Sequence, residues 1–140
     1  MADSFGKNIN GRVTTGGRFY ATPAANVPAN AVFMPAYSTS PLFGIAEYPV
    51  KSGELGAFAT DGVFEFTKPD GWTSAAGQAV YYSPTSAVAG SFVAAASAAE
   101  GDVKIGFEVL CPGRSGLCVM LIPPSELVPA AAAAGGGGGT

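Results

Sequence analysis

The chain has 140 residues, of which 48% are hydrophobic and only 12% charged, and its net charge is -3. That length suits one domain with a real core. The acidic balance excludes a general nucleic-acid binder, which needs a basic face for phosphates, and the absence of histidine removes the commonest general base and metal ligand.

The N-terminus, "MADSFGKNING", has no apolar core of a secretion signal, and no stretch approaches the ~20 apolar residues of a membrane span. Synthesis in a cytoplasm is expected, with the two cysteines reduced at first. Residues 1–16 read as an extended arm, because their apolar residues are scattered and broken by glycines. The arm is basic: Lys7, Arg12 and Arg18 face Asp3 alone before Phe19, about +2 on an acidic body.

Residues 17–123 read as the folded body. Short β-type runs follow one another, separated by turn residues: "GRFYAT", "AVFMPAY", "LFGIAEYPV", "GELGAFATDGVFEFTK", "QAVYYSP", "SFVAAAS", "VKIGFEVLC" and "LCVMLIP". In the fourth run, period two sets Phe58, Thr60, Gly62, Phe64 and Phe66 on an inner face. Ala57, Ala59, Asp61, Val63 and Glu65 take the other, with Gly62 marking a bulge or a close backbone approach. Tyr81 and Tyr82 fall on opposite faces, so one is expected buried and one open. "SAVAGSFVAAASAAEG" is the best rival for a helix, weakened by Gly90 and its β-branched residues. In the seventh run Ile105, Phe107, Val109 and Cys111 share a face opposite Gly106 and Glu108. In the eighth, Leu117, Val119 and Leu121 oppose Cys118, Met120 and Ile122, as in a strand covered on both sides. Residues 124–140, "PSELVPAAAAAGGGGGT", form a low-complexity tail. The pattern predicts an all-β, single-domain jelly-roll-like sandwich or barrel.

Little in this chain resembles a reaction centre. Asp61 and Glu65 lie about 13 Å apart along an extended strand, too far for a glycosidase pair, so they read as solvated or interface-facing. No phosphate-binding, dinucleotide or calcium-loop motif occurs, and Ser115 lacks both the nucleophile-elbow spacing and an activating histidine. No catalytic residue, cofactor or metal is expected. Cys111 and Cys118 flank "PGRSGL". A four-residue loop, Gly113 to Gly116, pairs them directly across a hairpin, within reach of a disulfide; the alternative is two buried thiols packed as small hydrophobes. Trp72, after the turn "KPDG", reads as a core tryptophan at a strand start, with an exposed sugar- or protein-binding residue as the other possibility.

The body resembles the phage capsid cement, or head decoration, proteins. The segments that carry the likeness are "YATPAANVPANAVF", "LFGIAEYPVKSGELGAFATDGVFEFTKP", "AAGQAVYYSPTSAVAG" and "GDVKIGFEVL", in that order, across roughly residues 18–123. The resemblance implies a non-enzymatic virion protein on the outer surface of an assembled head, reinforcing the major capsid protein lattice. The unusually uncharged surface agrees with coverage by partners. Self-association is expected, a dimer ahead of a trimer, with no nucleic acid and no membrane. The interface candidates are the arm's apolar residues Phe5, Ile9 and Val13 and its cations Lys7, Arg12 and Arg18. The alternative is a surface carbohydrate-binding or adhesion module using Trp72 and surface tyrosines.

Overall fold

The computed structural model describes residues 6–8, 17–37, 42–123 and 127–129. Its strands are β1 (Gly6–Asn8), β2 (Arg18–Ala21), β3 (Val32–Phe33), β4 (Gly44–Ala46), β5 (Gly56–Ala59), β6 (Val63–Phe66), β7 (Ala79–Ser86), β8 (Ala89–Ala94), β9 (Val103–Glu108), β10 (Leu117–Leu121) and β11 (Val128–Pro129). All pair antiparallel, in two sheets. The large sheet runs β1-β6-β10-β9-β7-β8, with β11 also on β9, and the small sheet runs β2-β5-β4-β3. This is the expected all-β sandwich, and each of the eight β-type runs contributes a strand.

The small sheet carries a buried apolar cluster on each face. Val32, Ile45 and Ala59 join the main core, packed with Phe64, Phe66, Tyr82, Phe92, Ile105 and Val119 of the large sheet. On the opposite face Phe33, Ala46 and Phe58 form a second core with Val27, Ala31 and Val50, flanked by Phe19, Ala87 and Val88. There the Phe58 ring stacks on Phe33 at 4.5 Å and on Phe19 at 5.3 Å. Fully burying each such ring contributes roughly 1.5–3 kcal/mol, so this outer layer is a real part of the core.

"AFATDGVFEF" is not one strand. It breaks at Thr60–Gly62, and the chain crosses there from the small sheet to the large one. Gly62 takes φ 119°, a conformation that favours glycine, and its carbonyl accepts the Leu121 N–H at 3.1 Å. The crossing resets the alternation. Phe58 therefore lies in the second core, away from Phe64 and Phe66, and Ala59, expected outside, is buried in the main core.

A second phase change lies in β9. Val80 pairs with Gly106 but Tyr81 pairs with Lys104, so Ile105 is an extra residue, a β-bulge. Val103 and Ile105 are buried, and after the bulge Glu108 is buried where Phe107 was expected. Phe107 turns to the outer side, with the Lys104 Nζ 4.4 Å from its ring centroid. In β10, Leu117, Val119 and Leu121 are buried as expected. Across the strand Cys118 is covered, but Met120 is 47% exposed, so coverage of that face is incomplete.

The alanine-rich rival for a helix is instead the end of β7, the whole of β8 and one 3-10 turn, Ala95–Ser97. Asp102 closes the turn that follows, residues 99–102, by accepting the Ala99 N–H at 2.8 Å. Tyr82 is buried and Tyr81 half-buried, as the alternation requires. Within the N-terminal segment, Gly6–Asn8 pair along β6 as the edge strand of the large sheet, with Lys7 opposite Glu65.

Candidate interaction surface

Four carboxylates hold the irregular parts of the sandwich. Glu108 is only 1% exposed. Its Oε1 accepts three hydrogen bonds: from Gln78 Nε2 at 2.8 Å, Trp72 Nε1 at 3.1 Å and the Ala75 N–H at 3.1 Å. Burial pushes this carboxyl's pKa up. The hydrogen bonds from Gln78, Ala75, Trp72 and Ser74 outweigh that and hold it below its usual value. Glu108 thus fastens the loop of residues 67–78 to the sandwich. Trp72 sits in this loop, not at a strand start, half-buried against the main core with its indole N–H used internally.

Glu65, expected to meet solvent or a partner, is engaged within the chain. It accepts from Arg114 Nη1 at 2.9 Å and from the Gly116 N–H at 3.0 Å, tying the β9–β10 loop to β6. Asp61 is exposed at the sheet-to-sheet crossing.

The register of that hairpin differs from expectation by two residues. Val119 pairs with Glu108 and the Val109 N–H donates to the Cys118 carbonyl at 2.9 Å, so Cys118 faces Val109 and not Cys111. The reason is the longer connection, in which a turn closes from the Cys111 carbonyl to the Arg114 N–H at 3.1 Å. The two thiols still lie on the same side of the hairpin, near enough to act on one another. Both are free, and burial, with a hydrogen bond to Cys111, pushes the Cys118 thiol up to about 12. Such a thiol carries almost no thiolate near neutrality, so it is a poor nucleophile.

Arg18 lies in β2, where its Nε and Nη2 grip Glu47 at 2.8 and 3.2 Å. The pair reaches across β5, from β2 to the residue after β4, and Tyr20 and Tyr48 lie near enough to act on the Arg18 charge. Of the other interface candidates, Lys7 stands in β1; Phe5, Ile9, Arg12 and Val13 lie outside the described residues. Sequence reasoning missed the Glu108 network and the Arg18–Glu47 pair. A lone carboxylate inside "VKIGFEVLC" was the available signal for the first. The second depends on strand order, which no local pattern carries.

Among the described residues no group of three or more potential metal-ligating side chains occurs. The arrangement is a β-sandwich in which Glu47, Glu65, Asp102 and Glu108 are used for internal fastening. A family model for phage cement proteins matches residues 13–110, more than half of the chain, and the chain belongs to that family. No curated protein and no solved structure matches it.

Proposed function

We propose that this chain is a non-enzymatic virion protein that binds the outer surface of an assembled phage capsid and stabilises it by bridging major capsid protein subunits. The observation that carries this reading is the match to the phage cement family across residues 13–110. The chemistry agrees with it. Glu47, Glu65, Asp102 and Glu108 are all occupied by protein donors, and the sequence has no histidine.

Bridging needs at least two points of attachment, and linking them raises avidity without strengthening either. One is the N-terminal arm, with Phe5, Ile9 and Val13 as apolar anchors and Lys7 and Arg12 as cations; Arg18 belongs to this set by sequence and is held by Glu47. Copies on the shell associate as dimers, ahead of trimers, on its two-fold positions. The test is co-sedimentation with shells assembled from the major capsid protein, followed by a heat challenge. Bound protein that survives washing and raises the temperature at which shells rupture supports the reading. A chain that stays in the supernatant overturns it.

A further inference from the structure

Among the described residues the exposed large apolar side chains are Tyr20, Tyr37, Tyr48, Leu55, Leu110 and Met120. Three gather at one end of the small sheet: Tyr20 is 62% exposed, Leu55 71% and Tyr48 72%. Tyr20 stands opposite Ala57, and the Ala57 carbonyl accepts the Glu47 N–H at 3.4 Å, next to Tyr48. Leu55 precedes β5 on the same end. Arg18 and Tyr20 alternate with Phe19, which belongs to the second core. They therefore point to the side on which the large sheet lies. The large sheet covers Ala59 and Ile45 there but leaves Tyr20 open. The small sheet overhangs. Under the overhang lies a cavity of about 220 Å³, with Ile45, Ala59 and Phe64 buried behind it and Asn30, Glu47 and Tyr48 at its edge.

We propose that this overhang, Tyr20, Tyr48 and Leu55 around the Arg18–Glu47 pair, docks onto an apolar, uncharged face of the major capsid protein. The proposal rests on the cement reading and adds a place and a chemistry to it. Tyrosine and leucine on a rigid sheet supply large contact area at low ordering cost. The charges inside the patch neutralise each other through two hydrogen bonds, so the patch presents no net charge and selects a partner face that carries none. The whole patch falls inside residues 13–110, the span shared with the cement family, as do the scattered Tyr37 and Leu110, whereas the exposed Met120 falls outside it. A contact common to cement proteins belongs in the common span. The basic residues Lys7 and Arg12 precede that span, so the patch supplies a second attachment distinct from the arm.

The test uses the full chain and shells assembled from the major capsid protein. Tyr20→Ala, Leu55→Ala, their combination with Tyr48→Ala, and Tyr48→Glu are compared with Leu110→Ala and Met120→Ala. All sites are exposed, so folding is preserved; far-UV circular dichroism verifies it. Each alanine at a hot-spot position is expected to weaken capsid binding about 10- to 100-fold, and the triple variant and Tyr48→Glu to abolish it at high salt. The two controls bind as the unaltered chain does. Equal binding by the triple variant, while the unaltered chain binds, overturns the docking surface and leaves the cement reading standing. Failure of the unaltered chain to bind overturns both. If the triple variant keeps its capsid affinity but loses self-association, or loses binding on a glycan array instead, the patch has a different occupant and the proposal is wrong.

Discussion

Glu108 offers the sharpest test of how the sandwich is held together. Three donors converge on its Oε1, and replacing it with leucine removes the acceptor for all of them. Gln78 Nε2 retains a second acceptor, the Thr73 carbonyl at 2.8 Å. Trp72 Nε1 and the Ala75 N–H have no other acceptor shown. A buried donor left unsatisfied costs about 1–3 kcal/mol; Trp72 is half-buried and Ala75 exposed, so water replaces part of the lost bonding and Glu108→Leu should lose about 1–3 kcal/mol. Glu108→Gln keeps an acceptor oxygen of the same shape and loses only the charge assistance, about 1–2 kcal/mol. Urea unfolding followed by fluorescence reads this directly, because Trp72 is the only tryptophan. The pH dependence gives a second readout. The folded carboxyl is held below its usual value, so the unfolded chain binds the proton more readily and Glu108 stabilises the fold above its unfolded pKa, about 4.3. That contribution is lost as pH falls from about 5 through the folded pKa. Glu108→Gln should flatten this part of the acid slope. A leucine variant with the unaltered chain's urea midpoint, or a glutamine variant with an unchanged acid slope, would show that the network does not hold the loop.

Three further outcomes follow from the geometry. Gly106→Ala places a Cβ 2.2 Å from the Met120 carbonyl oxygen, a backbone contact that cannot yield cheaply, so thermal unfolding should show a loss of about 1–3 kcal/mol; an unchanged melting temperature would mean the β9–β10 contact is looser. Because Cys111 and Cys118 lie near enough to act on one another, excess oxidised glutathione should join them, two thiols giving one disulfide and two reduced glutathiones, and faster as pH rises toward the Cys118 value; alkylation and mass measurement check it, and two thiols still alkylatable in the native protein would refute it. Deleting residues 1–16 removes β1 from the β6 edge but leaves both cores, so circular dichroism should persist while capsid binding weakens and loses salt dependence; unchanged affinity would return the arm to a leader without a role.

Every β-type run was legible in the sequence because period two and turn residues are local signals. What was not legible is where the phase changes. At Gly62 the chain leaves one sheet for another, and at Ile105 one residue drops out of the ladder; both reverse which side chains are buried without altering the apolar count. Hence Phe58 was grouped with Phe64, and Glu108 was placed opposite Ile105. The Cys111–Cys118 register failed for a related reason, since loop length fixes hairpin pairing and the connection here is longer than its glycines suggest. Of the interaction surface, the charged arm could be seen in composition. The overhang could not, because Tyr20, Tyr48 and Leu55 are 28 and 7 residues apart in order along the chain and meet only through the β2-β5-β4 order.

The distribution of carboxylates explains how so weakly charged a chain can present firm loops. Most of its strands have six residues or fewer, and long connections between such strands are ordinarily the least stable parts of a fold. Here three of the ten acidic residues are spent on them, and a fourth on joining two strands. Glu108 fastens residues 67–78, Glu65 the β9–β10 loop, Asp102 the turn after β8, and Glu47 ties β4 to β2. Ordering a loop during association subtracts from the binding free energy; ordering it at folding does not. A protein that must hold a shell together by many modest contacts gains from having that ordering complete before it arrives. If the overhang docks as proposed, contacts made by the β domain fall to tyrosine and leucine, and salt-dependent attraction is left to the basic arm.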